Sequence, residues 1–418
     1  MAGAIAGSNI DNGAPLRKGA VSRVRRSRIA LALLVVPVLA FILLLFLWPV
    51  LRFLALAVDN SEISGNLPRT AAAISSWDGQ GGLPDDAVFR ALVDDLAEAR
   101  AAGRDGVLAQ LINQRVVGTR FLVIKTAQSA AAGELAAEPA RDTVVAAQPG
   151  WDNPQLWRVL ARDSSPLTAN YLLASLDLTR TAEGAVVPVP ADQAIFVSLL
   201  LRTVWISAVV TGICAVLALP LAQAIVSAPE RWSRVMFALV LFPLWTSLLV
   251  RTVIWIIMLQ RNGPVNAALV ASGLVHEPLS LIYTRFSLYV TMVQVLLPLM
   301  VLSVVAVMRR VSPNYMKAAL SLGAPWIVAW TRVQLPLILP GILAGSAIVF
   351  VFALGYYITP ELVGGPGERM ISSYIAFFTN ETLNWGMGAA LSLQLLAILA
   401  GAAILFRLLA IVFRRRPA

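Results

Sequence analysis

Ser312-Pro313-Asn314-Tyr315-Met316-Lys317-Ala318-Ala319-Leu320-Ser321-Leu322-Gly323-Ala324 lies between two long apolar runs, with Leu335-Pro336 and Pro340-Gly341 behind it. A polar loop so placed sits at one face of a membrane. Ser312 suits an N-cap, and Pro313 suits the first helical position, where its missing N–H costs nothing. Gly323 is placed to end the helix in a left-handed turn. Met316, Ala319, Leu320 and Gly323 follow i, i+3, i+4, i+7 spacing and share one face. The pattern predicts a short helix, shallow on one side, presented between two spans and shaped to dock in a groove of another protein. The alternative is an interfacial amphipathic helix that only joins them.

The apolar runs on either side belong to a chain that is 58% hydrophobic and 13% charged over 418 residues. That is far from the balance of a soluble globular protein and calls for several membrane spans. One Cys and one His exclude a disulfide framework and argue against a zinc or haem site. Cys214 sits in an apolar run as a small core residue, and His276 sits in a polar loop. The net charge of +10 gathers at the two ends and beside apolar runs, which makes it a topology signal rather than a nucleic-acid footprint.

Residues 1–28 are polar and end in basic residues, predicting a disordered cytoplasmic tail. Residues 29–58 hold a first span that is too long for a signal-peptide h-region and is not followed by a small-residue cleavage site. Residues 59–193 change character, with mixed charges and turn signals; they predict an extracytoplasmic insert, small α+β or irregular. Within it, Val88, Leu92, Val93 and Leu96 predict an amphipathic helix over 85–101, and Arg120 to Lys125 reads as a strand. The Ala-rich 127–147 region admits an unstructured loop.

Further spans are expected at about 194–228, 235–259, 286–308, 335–359 and 386–413. With the first they make six, with basic residues in every inside segment and both termini cytoplasmic. The fold class expected is an all-α polytopic membrane protein, with a core over 194–418 and the 309–334 loop on the inside face.

Lys317-Ala318-Ala319-x-x-x-Gly323, then nine residues, then Val333-x-Leu335-Pro336, resembles the EAA loop of ABC-transporter membrane permeases. Lys317 stands where that family usually has Glu, and Val333 where it usually has Ile. Three further stretches are similar to the spermidine/putrescine-type branch of type I permeases. They are Pro243-Leu244-Trp245 with Arg251-Thr252-x-x-Trp255, Asn262-Gly263-Pro264-Val265-Asn266, and Gly355-Tyr356-Tyr357-Ile358-Thr359-Pro360-Glu361-Leu362-Val363-Gly364-Gly365-Pro366. The resemblance implies that Met316, Lys317, Ala318, Ala319, Leu320, Gly323 and Ala324 seat in a cleft of a cytoplasmic ATPase subunit. It also implies a dimer of ATPase subunits, a second permease subunit and a periplasmic solute-binding protein as partners in the inner membrane, with a polyamine or related amino compound as solute.

No Walker A motif or nucleophile–base pair occurs in the chain, so ATP hydrolysis falls to a separate subunit, and no cofactor or metal is expected. Arg251, in the expected third span, either lines the pathway, pairs with a helix or snorkels outward. Glu361 either receives a cationic solute or is a solvated cap. Trp245 and Tyr356 either line the path by cation–π contact or join an interfacial aromatic belt. A secondary transporter, which would show internal repeats, and a membrane sensor with an extracytoplasmic domain are the other classes open to such a chain.

Overall fold

The computed structural model describes residues 35–414 except 78, 80, 81, 182 and 183. The expected basic tail, the first residues of the first span and the closing basic residues 415 and 416 lie outside the described residues. The chain divides into two units, residues 1–55 and 56–418.

In the first unit, α1 runs over Val35–Ala55, with one π-helical turn at Leu43–Leu47. At 1.5 Å per residue it is about 31 Å long, enough for a hydrocarbon core.

The second unit begins with a helical insert. Its helices are α2 (Ser61–Asn66), α3 (Pro68–Ile74), α4 (Asp86–Ala101), α5 (Asp105–Arg115), α6 (Arg120–Ala131), α7 (Ala140–Ala147), α8 (Pro154–Arg162) and α9 (Asn170–Ala174). Among the described residues one antiparallel ribbon follows, β1 (Leu178–Arg180) with β2 (Val186–Pro188), in register Leu178↔Pro188. The insert is therefore helical with one small hairpin, neither α+β in the usual sense nor irregular. The strand expected at Arg120 to Lys125 is the first half of α6. Its Phe-Leu-Val-Ile run has strand propensity, but Val123, Thr126 and Ala127 recur at helical spacing and are buried on one face. Most of the Ala-rich 127–147 region is likewise helical, as the end of α6 and all of α7, with residues 132–139 connecting them.

The insert has its own core, in which α4 contributes Val88, Phe89, Leu92 and Leu96. The Trp157 ring lies 4.5 Å from Phe89 and 5.3 Å from Trp151. Both indoles are satisfied: Trp151 Nε1 donates to Thr126 Oγ1 at 2.8 Å and Trp157 Nε1 to the Trp151 carbonyl at 2.9 Å. The buried Asp95 carboxylate accepts from the Thr70 N–H at 2.7 Å, capping α3 from another helix. Asp163, also buried, pairs with Arg115 and Arg162 at 3.4 and 2.9 Å.

The remaining elements are α10 (Phe196–Ser227), α11 (Glu230–Leu241), α12 (Leu248–Leu259), α13 (Pro264–Ala271), α14 (Arg285–Met308), α15 (Asn314–Ser321), α16 (Trp326–Gly355), α17 (Ile358–Val363), α18 (Ile371–Asn380) and α19 (Trp385–Arg414). Helices α10, α14 and α16 form the centre. Each offers a ridge of residues spaced four apart: Ile206, Val210, Cys214, Ala218 and Ala222; Leu288, Met292, Leu296, Met300 and Val304; Gly341, Gly345, Val349 and Ala353. A Cβ on Gly341 would lie 2.8 Å from Val307 Cβ, and one on Gly345 2.6 Å from Met300 Sδ. Absence of a side chain at these two positions lets α16 close on α14, the way helices associate where lipid removes the hydrophobic drive.

Two expected spans differ. The third is not one straight helix. Residues Glu230–Trp245 and Leu248–Ala271 form limbs bent by 99°, joined through a 3-10 turn at Phe242–Trp245. Pro243 supplies no N–H to a continuing helix, and Thr246 and Ser247 are extended. The fifth starts at Trp326 and widens into a π-helical turn over Trp330–Gln334, just before Pro336 and Pro340. It stops at Gly355, so Thr359 belongs to the separate α17. Among the described residues five helices are long and apolar enough to cross a membrane, six if the bent pair counts as one.

Candidate functional site

The 312–324 loop is built as a capped single helix. Ser312 Oγ accepts from the Asn314 N–H at 3.4 Å, and the Lys317 N–H donates to the Pro313 carbonyl at 3.2 Å. Pro313 already has helical dihedrals. At the other end Gly323 takes φ +86°. Its N–H donates to Leu320 O at 3.0 Å, and the Ala324 N–H donates to Ala319 O at 3.2 Å. These two bonds are the pair that closes a helix on a left-handed glycine. None of the α15 residues is buried. Met316 and Ala319 are half-buried toward the rest of the chain, whereas Lys317, Ala318, Leu320 and Gly323 are exposed. The predicted common face is thus divided, and the free surface is the Lys317–Ala318–Leu320 side. Among the described residues no carboxylate pairs with Lys317.

Beneath α15 is a cavity of about 510 Å³, lined by Gln223, Met308, Arg309, Met316, Lys317 and Gln334, among others. Polar links bridge this end of the helices. Gln334 Nε2 donates to Gln223 Oε1 at 2.7 Å, and Gln223 Nε2 donates to Ser227 Oγ at 2.8 Å. The Arg309 guanidinium reaches Ser233 Oγ at 3.3 Å and covers the Phe237 ring.

At the opposite end of α14 the connecting segments are sewn together. Arg285 Nε lies 2.7 Å from Glu368 Oε1, and the Val363 carbonyl accepts from the Tyr283 N–H and from Ser287 Oγ. The Ile371 N–H donates to Thr203 Oγ1 of α10 at 2.9 Å. The insert is anchored here too: Asp177 accepts from the N–H groups of Ile195, Phe196 and Val197 at 2.8–3.0 Å, capping α10. Gln394 of α19 donates to Ser175.

The four residues read as candidate pathway groups are only partly brought together. Glu361 Oε1 is 2.6 Å from Arg369 Nη2, and both line a cavity of about 320 Å³ with Tyr357 and residues of α18. Tyr356 lines a separate apolar cavity of about 300 Å³ between α12 and α16. Trp245 is 86% exposed on the 3-10 turn. Arg251 is half-buried on α12, with Nε and Nη1 buried and without a hydrogen-bond partner among the described residues. Neither Trp245 nor Arg251 lines either cavity. Sequence reading missed Arg369, Ser373, Tyr374, Phe377 and Glu381. The spacing 373, 374, 377, 381 on one helical face was a signal that could have found four of them.

The C-terminal half of the chain is similar to known proteins. The profile of the family described as "Binding-protein-dependent transport system inner membrane component" matches residues 194–416. The spermidine/putrescine transport system permease protein PotB of Salmonella typhimurium (strain SL1344) is 28% identical over 205 residues, 49% of this chain and 71% of that protein. The inner membrane ABC transporter permease protein YdcU of Escherichia coli (strain K12) is 30% identical over 216 residues, 48% of this chain and 68% of its own length. Among solved structures, a chain of a bacterial alginate ABC transporter, bound to an alginate pentasaccharide-loaded periplasmic protein, aligns with TM-score 0.45 and 17% identity. It covers 54% of this chain and 81% of that one. With more than half of its residues matched, the chain belongs to the family of binding-protein-dependent transport system inner membrane components.

Proposed function

We propose that this chain is the membrane-spanning permease subunit of an ATP-driven ABC importer, and that α15 is its seat on a separate ATPase subunit. The observation that carries this reading is a capped helix between two membrane-length helices, none of whose residues is fully buried, with a Lys317 that has no ion-pair partner among the described residues on its free side. A helix so fixed at both ends and so poor in internal contacts is suited to bury its surface against a partner. Closure of an ATPase dimer would shift the groove around α15. The shift would pass to α10 and α16 through Gln223 and Gln334, rocking the helices between inward- and outward-open states. The bend between α11 and α12 supplies a joint for such motion.

In this reading the bent pair counts as one of six spans, both termini and the 309–334 loop are cytoplasmic, and the insert is periplasmic. A second permease subunit, copy or homologue, completes the pathway, and a periplasmic binding protein delivers the solute. The PotB relatives support a polyamine or related amino compound as that solute. Affinity purification of the detergent-solubilised chain tests the reading. An ATPase subunit should co-purify with the wild type and be lost with Gly323→Asp, which cannot hold φ +86° without strain. No ATPase with the wild type would refute it.

A further inference from the structure

The cavity between α17 and α18 is lined by two carboxylates, Glu361 and Glu381, against one guanidinium, Arg369. Arg369 is already held by Glu361 at 2.6 Å. Glu381 has no ion-pair partner among the described residues. Three aromatic rings, of Tyr357, Tyr374 and Phe377, complete the walls. Ser373 also lines the cavity; it is 7% exposed, and its Oγ is buried with no hydrogen-bond partner. An unsatisfied hydroxyl at that depth needs a partner.

This combination selects the sign of a ligand. A carboxylate or phosphate would meet the unpaired Glu381, and Arg369, the one cation lining the cavity among the described residues, is engaged. A primary ammonium carries three donors and a positive charge. It can pair with Glu381 and lie over a ring face, where the aromatic quadrupole attracts it. Ser373 Oγ, about 12 Å along α18, offers an acceptor to a donor farther along the ligand. We propose that this cavity is an entry site for one ammonium end of the solute, with Glu381 as its counter-charge. The inference rests on the importer reading and adds the place and chemistry of solute recognition on this chain.

The test is equilibrium binding of radiolabelled putrescine to the purified full-length chain, with ATPase co-purification followed on the same samples. Wild type should bind saturably, with competition by unlabelled putrescine but not by butane-1,4-diol or succinate. Glu381→Gln should weaken binding roughly tenfold or more, and Glu381→Asp should retain most of it. Tyr374→Phe, which keeps the ring, should bind as wild type, and Tyr374→Leu should not. If Glu381→Gln no longer retains the ATPase, the Tyr374 pair decides. Wild-type binding of Glu381→Gln, equal binding by Tyr374→Phe and Tyr374→Leu, competition by succinate, or no binding by a chain that retains its ATPase would each overturn the entry site alone. Failure of the wild type to retain any ATPase would instead remove the reading beneath it.

Discussion

Gln334 Nε2 and Gln223 Oε1 meet at 2.7 Å across 111 residues of sequence. The contact ties the π-helical turn that follows α15 to the last turns of α10, so a displacement of α15 has a polar path into two of the three central helices. Gln334→Leu removes the donor while keeping bulk. A part-buried hydrogen bond of this kind is worth about 0.5–1.5 kcal/mol, up to roughly tenfold in a coupled rate. Solute uptake per ATP hydrolysed should fall by up to that factor in proteoliposomes, with ATPase retention unchanged.

Lys317 is exposed on α15 and unpaired among the described residues, so its charge is available to a partner groove. Lys317→Glu reverses this charge and should be repelled by an acidic residue in that groove. The expected loss is roughly tenfold in ATPase affinity, about 1.4 kcal/mol. Co-purification titrated against salt measures it, and unchanged retention and ATPase stimulation would count against a role for this charge.

Gly341 faces Val307 so closely that any side chain must displace α14 from α16, and the Ser303 carbonyl stands 3.1 Å from the same point. Gly341→Val should cost about 1–3 kcal/mol of packing. Gly401→Ala, with open space around it, should cost nothing by comparison. Thermal loss of monodisperse elution in detergent distinguishes the two variants.

In the insert, Thr126→Val keeps shape but leaves the buried Trp151 N–H without its acceptor. The penalty for an orphaned buried donor is about 1–3 kcal/mol. It should appear as an earlier tryptophan-fluorescence transition on heating.

Much of this architecture is legible in the sequence because lipid imposes simple rules. Long, mostly apolar runs located α10, α14 and α19 to within a few residues, and Gly323 announced its left-handed turn. The broken third span was not legible. Hydropathy sums over a window and is blind to direction, so Val235 to Leu259 looks continuous although Pro243 and two extended residues turn it by 99°. At Arg120 to Lys125 local strand propensity pointed one way and the buried face Val123–Thr126–Ala127 the other, and packing won. Glu361 was visible as a lone carboxylate, but its pairing with Arg369 and its enclosure by Tyr374, Phe377 and Glu381 depend on how α17 and α18 fold back together. The same holds for Asp177, whose cap on α10 is a tertiary contact across 18–20 residues.

The most direct measurement is site-specific photo-crosslinking from Leu320, an exposed residue on the free side of α15, in intact membranes, with the adduct identified by mass spectrometry. A crosslink to an ATPase subunit whose yield changes on adding ATP is the predicted result. Adducts to lipid or to this chain alone, unchanged by ATP, would contradict the assignment of α15 as the ATPase seat.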